Sequence, residues 1–302
     1  MPRACRAKRS RRYGGFLHWH HFTVDVEDYF QVSAFEGLVP RSSWESYERR
    51  VGIGTRAITR LLGERGVQGT FFVLGWIAQR EPDLVRELDA GGHEIASHGW
   101  DHRRVTRQSR DEFRRSIRSS KSLLEDLTGK PVRGFRAPSF SIVPGLEWAL
   151  DLLIEEGYEY DSSLMPLARR GYGYQGASPD PRVIQRPAGS LLEVPPTVLQ
   201  WSGRSISAAG GAYFRFLPYG VVSRALRAAE ERGAPGTFYI HPWELDVAQP
   251  RLAAPILTRI RHYGGLGRTA SRIHNLLRDF KFRPISSTAV AHRMGDAVPT
   301  HG

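Results

Sequence analysis

Gly92-His93-Glu94-Ile95-Ala96-Ser97-His98-Gly99-Trp100-Asp101-His102 begins as a buried strand and ends in a polar turn. The turn carries two histidines, His98 and His102, four residues apart. Two neutral imidazoles at that spacing can converge on one divalent metal, on a helical face or in a tight loop. A hydrolytic metal site also needs a carboxylate ligand and a group that handles protons.

On either side of this run, strand and helix signals alternate. Upstream, 82–90 is predicted to be a helix with proline in its first turn and Gly91-Gly92 at its end, and 54–64 another that Gly66 stops. Between them 68–74 reads as a buried strand. Downstream, helices are expected over 111–127, 146–156 and 219–232, a short strand and loop over 133–140, a strand end over 158–163, and strands over 191–198 and 236–241. Residues 257–280 read as two helices split at Gly264-Gly265. Residues 31–50 read as loop and turn, and 165–190, rich in Gly, Pro and Arg, as an aperiodic insertion or substrate-side loop. The alternation predicts one α/β domain with a parallel sheet closed toward a barrel. Chemistry in such folds gathers at the C-terminal ends of the strands. Asp25, His98, Arg136, Asp161 and His241 all fall at such ends.

Residues 21–30 begin as a strand, and Asp25-Val26-Glu27-Asp28 crowds its end with three carboxylates that would repel one another if buried without a cation. Glu27 or Asp28 can therefore complete a metal site with His98 and His102. That leaves Asp25 as general base, Arg136 as its ion-pair partner and His241 as proton donor to a leaving amine. Tyr29, Trp100, Phe140 and Trp243 are candidate walls for a sugar ring. His18, His20, His21, His93 and His262 show no spacing logic and read as structural.

Composition sets the outer bounds. The chain has 302 residues, 40% hydrophobic and 25% charged, with a single cysteine, Cys5, which excludes an internal disulfide and a cysteine zinc cluster. Net charge is +12, carried by arginine far more than by the four lysines. Such a charge suits an anionic partner, yet no nucleic-acid motif accompanies it, and no nucleic acid is expected. No apolar run of about 18 residues predicts a membrane span. Residues 1–17 read as a basic disordered tail whose Ser10-Arg11-Arg12 lacks a following apolar region, which predicts a cytoplasmic protein. Residues 284–302 read as a frayed tail.

Taken in order, T-V-D-V-E-D, H-G-W-D-H, R-A-P-S-F, Y-D-S-S and Y-I-H-P resemble the five motifs of the polysaccharide deacetylases, the NodB homology domain of carbohydrate esterases. The resemblance covers about 20–290. It implies a distorted (β/α) barrel of about seven parallel strands over 18–283, and a divalent metal, most often zinc. It also implies removal of N-acetyl groups from an amino-sugar polysaccharide or oligosaccharide. Asp25 would be the base, Glu27 or Asp28 a metal ligand with His98 and His102, and Arg136 the residue that orients the base. Pro138 and Phe140 would shape the groove, Asp161 would stand in the fourth motif, and His241 would be the acid. V-D-V-E-D-Y-F, F-Y-I-H-P-W-E-L-D and H-Y-G-G-L-G-R-T are similar to the branch found in exopolysaccharide clusters associated with exosortase systems, with 250–283 as a helical extension. A substrate linked to lipid at the inner membrane face, with the enzyme peripherally associated there, would fit a chain without a span. An allantoinase-like amidohydrolase and a non-catalytic basic polymer-binding protein are the alternatives.

Overall fold

The computed structural model describes residues 19–167, 172–201 and 204–290. The strands are β1 His20–Val26, β2 Thr70–Val73, β3 Glu94–Ser97, β4 Gly134–Phe135, β5 Tyr160–Asp161, β6 Arg182–Arg186, β7 Gly189–Glu193, β8 Val198–Trp201, β9 Arg204–Ser207, β10 Thr237–Ile240 and β11 Phe282–Arg283. The helices are α1 Val51–Gly63, α2 Gly75–Arg80, α3 Pro82–Ala90, α4 Arg110–Thr128, α5 Trp148–Glu155, α6 Gly211–Phe216, α7 Tyr219–Glu231, α8 Ile256–Tyr263 and α9 Thr269–Asp279.

The main sheet runs β10-β1-β2-β3-β4-β5-β7-β6, with β11 also against β1. From β10 to β7 all neighbours are parallel, and only β6 joins antiparallel. Every residue of β1 is buried, because a parallel strand is covered on both faces. Phe22, Val24 and Val26 pack in the large core, while Thr23 and Asp25 alternate to the concave side. There the Arg136 guanidinium lies 4.1 Å from the Phe72 ring centre, and Phe72, Ala96, Tyr160, Leu192 and Val194 fill the hollow. The curl does not close by a strand pair among the described residues. Instead the Thr197 N–H donates to the Thr237 carbonyl at 3.0 Å across the gap.

The helices over 82–90 and 219–232 and the strand over 68–74 are found within a residue or two of expectation. Three segments differ. The stretch 165–190 holds β6, paired residue by residue with β7; its exposed, arginine-flanked sequence lacks the apolar alternation that marks a strand. Pro195 and Pro196 end the strand expected over 191–198, so the chain leaves β7 and starts again at β8. Residues 284–290 are packed rather than frayed. Ile285 and Ala289 are buried against the inner cluster, the Ile285 N–H donates to Thr70 Oγ1, and the Ser286 N–H donates to Glu94 Oε2. They plug the end of the curl opposite the catalytic strand ends. The expected tail of 1–17 and the rest of the C-terminal one, 291–302, lie outside the described residues.

Candidate active site

Each functional side chain is set by the end of a parallel strand. Asp25 stands near the end of β1, His98 follows β3, Arg136 follows β4, and His241 follows β10. The turn after β3 must bring His102 back over His98. Gly99 takes φ +75° there, a region L side chains rarely adopt. The Ser116 hydroxyl accepts the Trp100 N–H at 2.9 Å, which fixes the turn to α4. His102, Ser139 and Phe140 also have positive φ, so three non-glycine residues at this site hold a costly backbone geometry.

Glu27, His98 and His102 offer ligand atoms that all lie within 4.8 Å of one another. His98 Nδ1–H donates to the Arg136 carbonyl at 2.8 Å, which leaves its Nε2 lone pair free. Burial above all pushes His98 down to about 4, so it is a neutral ligand at pH 7. Glu27 Oε2 is buried without a hydrogen bond, although His102 Nε2 lies 2.6 Å away. An orphaned carboxylate oxygen facing an imidazole nitrogen is what a bridging cation would satisfy, so the donor set fits a divalent metal. Burial works against the Glu27 charge, but His102, then His241 and His98, hold its carboxyl well below the usual range. The Trp243 indole N–H donates to the other Glu27 oxygen at 3.1 Å.

Of the two carboxylates left open by the sequence, Asp28 does not face the histidines. Its oxygens accept the backbone N–H groups of Tyr29 (2.9 Å), Arg50 (2.7 Å) and Val51 (3.0 Å). It ties the end of β1 to the start of α1, satisfying N–H groups the helix itself cannot. Asp28→Ala is therefore expected to cost about 1–3 kcal/mol in urea unfolding while divalent metal binding survives.

Asp25 Oδ1 accepts a 2.7 Å bond from Arg136 Nη1. Arg136 is fully buried and also donates to Thr23 Oγ1, Ser162 Oγ and the Ser162 carbonyl. His241 Nε2 lies 3.9 Å from Asp25 Oδ2 and 3.6 Å from Glu27 Oε1, and its Nδ1–H donates to Glu244 Oε1 at 2.7 Å. Burial disfavours its charge, but Glu27, Glu244 and Asp25 together push it up to about 9. These carboxylates favour the charged imidazolium, whose Nε2 is directed toward Asp25 and Glu27.

A cleft of roughly 390 Å³ opens over these groups. Phe140, Tyr239 and Trp243 line it, with Tyr172, Tyr213 and Arg215 from the second half of the chain. Four expected substrate contacts stand elsewhere. Tyr29 is buried edge-on against Phe30, and Trp100 packs over Gly75, where a Cβ would sit 2.4 Å from its ring. Pro138 is buried outside the cleft wall. Asp161 is one of a buried carboxyl pair with Glu193, its register partner on β7, both pushed up by burial. Sequence reasoning passed over Glu244, although a carboxylate three residues after a strand-end histidine is a signal. It had no signal for Tyr172, Tyr213 or Arg215.

Residues 51–149 match the polysaccharide deacetylase family, and 162–290 match a domain of unknown function, DUF3473. Asp25 and Glu27 lie before the first match, and His241 lies in the second. A peptidoglycan-N-acetylglucosamine deacetylase, PgdA, of Listeria monocytogenes is 30% identical over 106 residues, which are 32% of this chain and 23% of that protein. A chitooligosaccharide deacetylase of Azorhizobium caulinodans is 34% identical over 85 residues, 28% of this chain and 40% of that one. The chain thus spans less than half the length of either relative. A crystal structure from Mycobacterium smegmatis assigned to the polysaccharide deacetylases shares the fold at TM-score 0.62 and 24% identity, over 92% of this chain and 91% of that one.

Proposed function

We propose that this chain, whose residues 51–149 match the polysaccharide deacetylase family, hydrolyses the N-acetyl amide of an amino-sugar polymer, acting as one functional domain over 18–283. The observation that carries the reading is the convergence of Glu27, His98 and His102 beside Asp25 and His241 in one cleft. Glu27, His98 and His102 would hold a divalent cation, most readily zinc, which when bound polarises the amide carbonyl and acidifies water. Asp25, fixed by Arg136, takes a proton from the attacking water. His241 gives its Nε2 proton to the departing sugar nitrogen, so that acetate and a free amine leave. Glu244 keeps the imidazole aimed throughout. Phe140, Tyr239 and Trp243 offer ring faces to the sugar.

The branch motifs support a bacterial exopolysaccharide, or its lipid-linked precursor, as the polymer. The site of action would then be the inner membrane face; no helix among the described residues is long and apolar enough to cross a membrane. Recovery of the native protein from the periplasm alone would overturn that location. The activity is tested by acetate release from an N-acetylglucosamine oligomer. Release is expected to vanish with chelator, return with zinc, and be lost in His98→Ala. Metal binding without release would move the reading to another C–N hydrolysis, and no metal binding would end it.

A further inference from the structure

An apolar stripe lies at the edge of the cleft, where a folded chain in water would ordinarily carry polar side chains. On α8, Ile256, Leu257 and Ile260 are 71%, 77% and 53% exposed, while His262 on the far side is buried. Spacings of three and four residues set the three on one helical face. Arg259 and Arg261 flank that face, and the Arg251 guanidinium stacks 4.3 Å from the centre of the Tyr263 ring at the end of the helix. Among the described residues none of the three arginines pairs with a carboxylate, although most arginines elsewhere do. Phe216, 46% exposed, abuts Gly264 at the C-terminal end of α8 and extends the apolar surface.

We infer that α8 is a membrane-docking helix, with Ile256, Leu257 and Ile260 entering the headgroup region of an anionic bilayer and the flanking arginines meeting its phosphates. Apolar side chains on one face with unpaired cations at its borders are the pattern of an interfacial helix. A second copy of the chain fits less well. A two-fold contact would bring Arg259 and Arg261 against their own copies, and three aliphatic side chains offer far less than the ~800 Å² per partner of a stable interface. The net charge of +12 adds long-range attraction to an anionic surface. Arg261 and His262 also line the cleft, so docking through α8 sets its mouth against the lipid surface. Only this last consequence, access to a lipid-linked substrate, rests on the deacetylase reading.

The test is co-sedimentation of the purified chain with vesicles of phosphatidylcholine, alone or with about 30 mol% phosphatidylglycerol. Binding is expected only to the anionic vesicles and should weaken with salt. Replacing Ile256, Leu257 and Ile260 together by serine should lower partitioning about tenfold or more at unchanged melting temperature, since the three are exposed. His98→Ala should bind as the wild type does, so docking stands or falls apart from catalysis. Wild-type protein that ignores anionic vesicles, or a triple variant that binds as well as wild type, overturns the inference. So does a dimer in solution that the triple variant dissolves while vesicle binding is absent.

Discussion

Glu27→Gln is expected to weaken divalent-cation binding more than about 100-fold, beyond what changes outside the ligand set cause. Asp25→Asn is expected to leave that binding within a few-fold of wild type and to lower turnover by about 10²–10⁴. The two carboxylates lie two residues apart, yet their surroundings differ. Glu27 is held ionised against burial by three imidazoles and presents an oxygen without a hydrogen bond to His102. Asp25 already accepts from Arg136, and its other oxygen faces His241. An amide at 25 can still accept from Arg136 but cannot take a proton from water. Zinc competition against a chromophoric chelator reads the first effect, and acetate release reads the second. Loss of metal in Asp25→Asn, or its retention in Glu27→Gln, would reverse the assignment.

The strand ends were legible because an apolar run stopped by a histidine or carboxylate is a local pattern, and the parallel topology then collects such ends at one rim. Placing His98, Arg136 and His241 at such ends needed no further information. The choice between Glu27 and Asp28 did, because β1 ends at Val26 and strand alternation does not govern the residues that follow. Period two puts Glu27 on the Asp25 face but left both carboxylates open; only the amides of Arg50 and Val51, some 22 residues on, give Asp28 another task. Trp243 was expected as a wall and does line the cleft, but its N–H also fixes Glu27, a contact across 216 positions. The short α6, with Tyr213 and Arg215, leaves almost no periodic trace in six residues. Its value lies wholly in what it meets.

Arg215→Met and Glu244→Gln are each expected to destabilise the fold by about 3–5 kcal/mol, because each removes the opposite charge from a buried ion pair. Both side chains are 1% exposed or less, and Arg215 Nε donates to Glu244 Oε2 at 2.6 Å. The rest of the guanidinium serves the carbonyls of Arg261, His262 and Gly264, holding the end of α8 to α6. Burial opposes ionisation of Glu244, but Arg215 and then His241 outweigh it and hold the carboxyl below its ordinary range. A depressed folded pKa stabilises above the unfolded value, and that stabilisation is lost as pH falls through the folded one. The gap between wild type and Glu244→Gln in urea unfolding should therefore be full at pH 7 and narrow below about pH 4. The double variant should cost less than the sum of the single ones, since neither charge is left alone. Additive losses, or a gap indifferent to pH, would mean that the pair is not acting as one buried unit. Activity offers a second readout. Glu244→Gln can still accept from His241 but no longer stabilises its charge, so turnover should fall while KM changes little. Arg215→Met should disturb both, because the wall built by α6 and the end of α8 moves with it.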